Sequence, residues 1–517
     1  MKFIKKTLSW NEIQSSHRLM IFIVLALGVL NFFWGEIVPA GGGFGWDGVT
    51  YANMVRNLDS MISDGQLSSY YAQRILPAAI VRSMLILFGS AMSDINIIRC
   101  FELYNLVLLV GACWVWKRVA NNFSLSLAGR WIGFSGIFVN YQCSKQAFYY
   151  PVLTDITALF VAMLLLLFYV EKKPIALFVA TIIGAFCWPV VSICGTFLLI
   201  FLRSELPKEA IAQVPSTITI KSIAVPYPVK FSGLVVLALS IIGYVILTRE
   251  GPVTGHACHV PKILVDAIVL PCTSEKLLTG LPSLVGMLVA LAMLIGSVSF
   301  FQAVLASLKM VRLALVAMAI AAVFIPAFIV KIISNPGVAN PNSLNLLINA
   351  ALLPPEGKFL LPIVTLAVFW GPVVLLLLLY WKAFCTEARK LGPGFVAIIG
   401  ISLPLGLVGE PRFMTIAWPF LVLGLVLVLE VSSMKASFKY VLIVLTVLYA
   451  QFWMKLNLAP WLGGDSEGLQ EFPKQIYFMH YGLWMSWWAY VIQFIALVIS
   501  ALWLHKAVIK VGLTAES

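Results

Sequence analysis

Residues 19–38 read LMIFIVLALGVLNFFWGEIV, an apolar run in which only Asn31 and Glu36 carry strongly polar side chains. A run of this length matches the roughly 30 Å hydrocarbon core of a bilayer when coiled as a helix. Backbone polar groups in lipid must be satisfied within the segment itself, so such a run is helical. Comparable runs recur along the chain. The period-two alternation of a membrane barrel is absent. The fold class that follows is all-α, a polytopic transmembrane helical bundle of about 12–14 spans.

Composition excludes a soluble domain. Of 517 residues 61% are hydrophobic and 11% charged, against roughly 25% charged in soluble globular chains. The net charge of +13 does not point to nucleic acid, because the cations are scattered in ones and twos. Their role is topological, since short loops rich in Lys and Arg stay on the cytoplasmic side. The basic stretch 1–18 is expected in the cytoplasm, with 19–38 as a retained signal anchor. The VPAGGG that follows loosely mimics a signal-peptidase site.

Further spans are predicted near 99–116, 130–146, 152–170, 174–188, 190–202, 231–247, 280–300, 313–330, 362–381, 394–408, 413–430, 440–454 and 486–504. This places loops 39–98, 248–279, 331–361 and 455–485 outside, and the tail 506–517 in the cytoplasm. The transmembrane unit then covers 19–505. Segment 75–92 is apolar enough to cross, but Arg82 in its middle makes crossing costly. It is expected to be re-entrant or embedded. Trp188-Pro189 marks either a tight outer turn or a kink in one long span.

The first run leads into GGGFGWDGVTYANM, residues 41–54. After Gly48, residues Tyr51, Val55, Leu58, Met61 and Ile62 recur at helical spacing, with Asn53, Arg56, Asn57 and Ser60 on the other face. This predicts an amphipathic helix lying in the headgroup layer. Asp47 at its head is either an N-cap or a functional acid beside glycines that permit close backbone approach. Asp155, ending KQAFYYPVLTD (145–155), presents the same choice, and Thr154 could share the cap. In GEPRF (409–413), Glu410 and Arg412 form a mutual ion pair or bind substrate. Arg74, Arg82 and Arg99 lie near the outer surface. There they snorkel to headgroups or grip a phosphate with the guanidinium fork.

Taken together, WDGVTY, YYAQRILP, YYPVLTD and GEPRF resemble the multi-spanning glycosyltransferases of the GT-C type, which use polyprenyl-phosphate-linked sugars. The resemblance covers the first third of the chain and one spot near residue 410. It implies inverting transfer of a sugar from a polyprenyl-phosphate donor to a glycan or lipid-linked acceptor on the outer, periplasmic face. In that scheme Asp47 is the first choice of base and Asp155 the second, while Arg74, Lys145 and Arg412 stabilise the departing phosphate and Glu410 joins the substrate site. Many members carry two adjacent acids in the first loop; this chain has Asp47 alone, so no metal or other cofactor is assigned. The expected partners are the lipid-linked sugar, its acceptor and membrane lipids, without nucleic acid, in a bacterial inner membrane. A transporter or flippase of lipid-linked glycans is the alternative from another class, and an O-antigen polymerase or ligase the alternative within glycan assembly. Span interiors nearly free of charge, and the lack of an internal repeat, weigh against transport.

Weaker signals remain. The five asparagines of 331–361 suit sugar hydroxyls or an ordinary turn-rich loop. GHACHVPK (255–262) gathers His256, Cys258 and His259, with Cys272 nearby. A Cys258–Cys272 disulfide fits an outer loop better than a zinc site short of ligands. The other cysteines sit mostly in apolar runs as small buried hydrophobes. His480 lies in an aromatic belt, where a structural role is the default.

Overall fold

The structure, a computed structural model, describes residues 10–202, 257–259, 269–271, 274–309, 311–335, 337–338, 358, 360–431, 436–458, 482 and 485–512. The predicted span 231–247, His256, Cys272, His480 and all of the loop asparagines except Asn335 lie outside them.

The first half holds α1 (Trp10–Trp34), α2 (Asp47–Ser63), α3 (Ser69–Ala72), α4 (Ile75–Leu87), α5 (Asp94–Asn122), α6 (Leu127–Phe138), α7 (Ala147–Tyr149), α8 (Asp155–Val170), α9 (Pro174–Ala185) and α10 (Val190–Ile200). The second half holds α11 (Ser274–Ile295), α12 (Val298–Lys309), α13 (Leu313–Ile333), α14 (Leu361–Trp370), α15 (Val373–Lys390), α16 (Pro393–Gly406), α17 (Trp418–Val431), α18 (Ala436–Ala450) and α19 (Trp487–Gly512). Between the halves lies one departure from an all-helical chain. It is an antiparallel ribbon of β1 (Ala257–His259) and β2 (Val269–Pro271), with Cys258 opposite Leu270.

Among the described residues, four helical stretches can cross a membrane by length and composition: Gln14–Trp34, Asp94–Asn122, Leu313–Ile333 and Trp487–His505. The number rises to six if each of two bent pairs counts as one span. One such pair falls where a single span is predicted at 362–381. There α14 and α15 meet at 113° across Gly371, whose φ of +80° suits a residue without a Cβ. The other pair, Pro282–Ile295 with Phe300–Leu308, is bent by 64°. The long helices carry large apolar side chains outward: Phe22 and Phe33 on α1, Phe324 and Phe328 on α13, Trp488 and Ile492 on α19. Outward apolar faces of this extent mark contact with lipid or with another protein.

Polar contacts sort the helix ends into two groups. At one end, Lys117 of α5 donates to Gln14 of α1, Arg118 pairs with Glu171 just after α8, and Ser126 before α6 donates to Glu430 of α17. At the other end, Arg99 of α5 donates to the carbonyl of Phe32 on α1, and Glu36 beyond α1 accepts from the backbone after α18. The chain therefore alternates direction through α1, α5, α6 and α8. Helices α9 and α10 continue the alternation as an antiparallel hairpin, with Gly184 against Val191 and Gly195 against Thr181. Trp188-Pro189 is thus a tight turn between two helices.

The segment 39–98 leaves from and returns to one end of the bundle. Arg56 of α2 pairs with Asp94 at the start of α5 and donates to the Met92 carbonyl. Its apolar member α4 is 13 residues long, about 20 Å at 1.5 Å per residue, short of a hydrocarbon core. Arg82 fastens α4 onto α2 through the carbonyls of Val55 and Arg56 and the Asp59 carboxylate.

Candidate functional site

The first acid is positioned by glycines. Gly41, Gly42, Gly43 and Gly45 all adopt positive φ, which L side chains rarely tolerate. A Cβ on Gly45 would overlap the ring of Tyr150, and one on Gly48 would overlap Val152. The loop therefore lies directly on the segment before α8, and the Gly48 N–H donates to Tyr150 Oη at 3.4 Å. Asp47 is the first residue of α2, and the cap position falls to Trp46 without a side-chain cap bond. Of the two readings of Asp47, the N-cap is not seen. Trp46 has helical dihedrals, whereas capping requires an extended residue ahead of the helix. The half-buried Asp47 carboxylate has no side-chain hydrogen bond or ion pair among the described residues.

Asp155 likewise opens α8 instead of capping it. Thr154 occupies the cap position with helical dihedrals and no side-chain cap bond. Asp155 is 3% exposed, and neither carboxylate oxygen has a partner among the described residues.

Arg412 sits in a short 3-10 turn (Pro411–Met414) between α16 and α17. Its Nε donates to Glu410 Oε2 at 2.9 Å, so the expected mutual ion pair is present. The turn is fixed by Trp370 Nε1 donating to the Pro411 carbonyl at 2.9 Å and by Thr415 Oγ1 donating to the Arg412 carbonyl at 2.6 Å. Burial opposes the Arg412 charge, but the fields of Glu410, Asp155 and Asp47 outweigh it and hold the guanidinium well above its ordinary value. All three acids thus stand within electrostatic reach of one arginine.

Arg74, at the end of the α3 turn, stacks on Tyr70 with 3.8 Å from guanidinium carbon to ring centroid, and lies 5.8 Å from the centroid of Trp188. Trp188 in turn meets Phe413 at 6.2 Å, beside Arg412. Burial raises the phenols of Tyr51, Tyr70 and Tyr71, against the opposing field of Arg74 and with that of Asp47. Asp47, Asp155 and Glu410 therefore share the field of Arg412, and Arg74 joins them through Tyr70 and through Trp188, which meets Phe413.

Lys145 does not join it. It lies in a π-helical turn, Gln142–Gln146, and donates to Glu36 Oε2 at 3.0 Å with its side chain 6% exposed. Glu36 is the residue that sequence reasoning passed over, though an acid inside the first apolar run is a visible signal. Arg82 and Arg99 are also engaged elsewhere, Arg99 with Glu102 and the Phe32 carbonyl.

Among the described residues no three His, Cys, Asp or Glu side chains gather as a metal-binding set. Cys100, Cys113, Cys143, Cys187, Cys194 and Cys385 are buried free thiols. The chain matches no family model, no curated protein and no solved structure.

Two carboxylates without hydrogen-bond partners among the described residues stand in the field of Arg412, with Arg74 across Tyr70. Such a set can hold an anionic oxygen and accept a proton at neighbouring points.

Proposed function

We propose that the protein is an integral-membrane glycosyltransferase of GT-C-like type, moving a sugar from a polyprenyl-phosphate donor to a glycan or lipid-linked acceptor. The observation that carries this reading is the single cluster of Asp47 and Asp155 with Arg412 and Arg74. A phosphate is a good leaving group and needs positive charge as it departs, which the two arginines supply. The acceptor hydroxyl needs a base, and Asp47, half-buried and unengaged, is the stronger choice of the two acids. Glu410 serves as the counter-ion of Arg412. Lys145, neutralised by Glu36, has no phosphate role in this scheme.

The shorter apolar helices other than Ile75–Leu87 are read as additional spans completed by their flanking turns, giving about 12–14 in all. The positive-inside bias then puts the acidic cluster on the outer face, in a bacterial inner membrane. The decisive experiment reconstitutes the full chain in liposomes with a radiolabelled polyprenyl-phosphoryl hexose and follows label into glycan or lipid product. Transfer by the wild type, abolished in Asp47→Asn at unchanged thermal stability, supports the reading. Uptake of label without transfer would assign the protein to transport.

A further inference from the structure

The π-helical turn Gln142–Gln146 joins α6 to α7, and π-turns concentrate at functional sites. Four of its five side chains have at least one partner. Cys143 Sγ donates to the Ile137 carbonyl at 3.2 Å, and Ser144 Oγ reaches the carbonyls of Asn140 and Ala450. Lys145 pairs with Glu36. The two glutamines differ. Gln142 is 0% exposed and Gln146 2% exposed. Among the described residues Gln146 has no partner for Nε2 or Oε1, and Gln142 has none for Oε1.

Gln142 lies beside the Arg412 turn, and Gln146, four residues on, shares its helix face. Gln142 Nε2 donates its one hydrogen bond, at 3.4 Å, to Thr415 Oγ1, which itself holds the Arg412 carbonyl. The Gln146 backbone carbonyl accepts from the N–H of Tyr150, whose ring lies against Gly45 and Gly48 on either side of Asp47. With the two Asp155 oxygens, five buried polar atoms of these three residues lack a hydrogen-bond partner among the described residues. Leaving one buried polar group unpaired costs about 1–3 kcal/mol, so a group of five signals a polar ligand.

The chemistry of these atoms selects that ligand. A phosphate only accepts hydrogen bonds, and carboxylate and amide oxygens would repel it. A hydroxyl both donates and accepts, and so matches amides and a carboxylate together. We propose that Gln142 and Gln146, with Asp155, form a hydroxyl-recognising pocket for the glycosyl group of the donor, next to the arginines that take its phosphate. This assignment rests on the glycosyltransferase reading and adds the residues that distinguish a sugar-bearing lipid from a bare one.

The test measures binding of bare polyprenyl phosphate and of polyprenyl-phosphoryl hexose to the full chain in nanodiscs, for wild type, Gln142→Leu, Gln146→Leu and Arg412→Gln. The glutamine variants are expected to weaken the hexose-bearing lipid about tenfold and to leave the bare lipid within about twofold. Their thermal stability should hold or rise, because an apolar side chain removes unpaired atoms. Arg412→Gln should weaken both lipids. Glutamine variants that weaken both lipids in parallel with a loss of thermal stability, or that weaken neither, would overturn the pocket. If the wild type binds neither lipid, the lipid-phosphate reading fails, and methyl hexosides decide the pocket separately. Hexoside binding lost in the glutamine variants upholds it, and no hexoside binding refutes it.

Discussion

Glu410 Oε2 lies 2.9 Å from Arg412 Nε across a single proline, in a turn squeezed between two apolar helices. The pair sits less than a quarter exposed on either side, with the carboxylate of Asp155 inside the same field. Removing the arginine leaves acids buried without their cation, a change that costs about 3 kcal/mol or more. Arg412→Leu should therefore lower thermal stability sharply, whereas Arg412→Lys should hold the fold and lose turnover, because an ammonium lacks the bidentate fork. Unfolding curves and transfer assays on the two variants separate these effects.

Asp47 and Asp155 are distinguished by their surroundings. Asp47 is half-buried at the head of α2, and Asp155 is closed in at the head of α8. Asp47→Asn should reduce turnover by about 10²–10⁴-fold with stability unchanged, since its carboxylate holds nothing else in place. Asp155→Asn should change donor affinity more than turnover. Equal loss of turnover in both, measured with saturating donor, would mean that both acids touch the reacting atoms.

Much of this arrangement was legible beforehand, and the reasons are physical. Runs such as 19–38 announce helices because lipid leaves the backbone no other choice, and the helix around Gly48 follows from its three-and-four spacing. Asp47, Asp155, Glu410 and Arg412 stood out because charge is rare in this chain. What stayed hidden depends on where the chain turns. The Gly371-Pro372 pair is a local signal for the break at 113°, but it lies inside an apolar run long enough to be taken as one span. A glutamine in a π-turn looks the same in sequence as one on a surface. Lys145 resembled a phosphate ligand because its partner Glu36 lies 109 residues away. The cap readings of Asp47 and Asp155 failed for a backbone reason, the helical dihedrals of Trp46 and Thr154.

The tyrosines around Arg74 give a pH prediction. Burial raises the phenols of Tyr51, Tyr70 and Tyr71 above their ordinary value near 10. An unfolded chain releases these protons from about pH 10, while the folded chain retains them. Folding then binds protons in that window, so stability falls as pH rises above about 10 and is fully present below it. Tyrosinate absorbance should show late-titrating phenols in the folded protein. Tyr51→Phe, Tyr70→Phe and Tyr71→Phe combined should remove them and flatten the alkaline loss of stability.

The glycine loop predicts a steric effect. Gly45 has φ of +67°, and an added Cβ meets Tyr150. Gly45→Ala combines left-handed strain of about 1–3 kcal/mol with displacement of the ring that carries the Asp47 loop. Activity should fall further than thermal stability, because the loop moves while the bundle stays intact. Gly42→Ala provides the control: its φ of +66° carries the same strain, but nothing lies within 4 Å of the new methyl group. Similar activity in the two variants would show that the Tyr150 contact does not set the position of Asp47.

Glu36 and Lys145 supply the last comparison. The Glu36 carboxylate accepts from Lys145 Nζ, from the Leu456 N–H at 2.8 Å and from the Asn457 N–H at 2.9 Å. Asn457 is itself held by Tyr149 Oη at 2.6 Å and donates to the Ile37 carbonyl. This clasp ties the end of α1 to the π-turn and to the chain after α18. Glu36→Gln leaves Lys145 buried without its counter-ion and should cost about 3–5 kcal/mol. Lys145→Met leaves Glu36 its two backbone donors and should cost less. The double variant should recover part of the Glu36→Gln loss, giving a coupling of about 0.5–3 kcal/mol in a mutant cycle. In transfer assays Lys145→Met should lower stability while leaving the Michaelis constant for the lipid donor unchanged. A rise in that constant at unchanged stability would return Lys145 to the phosphate site and remove it from the clasp.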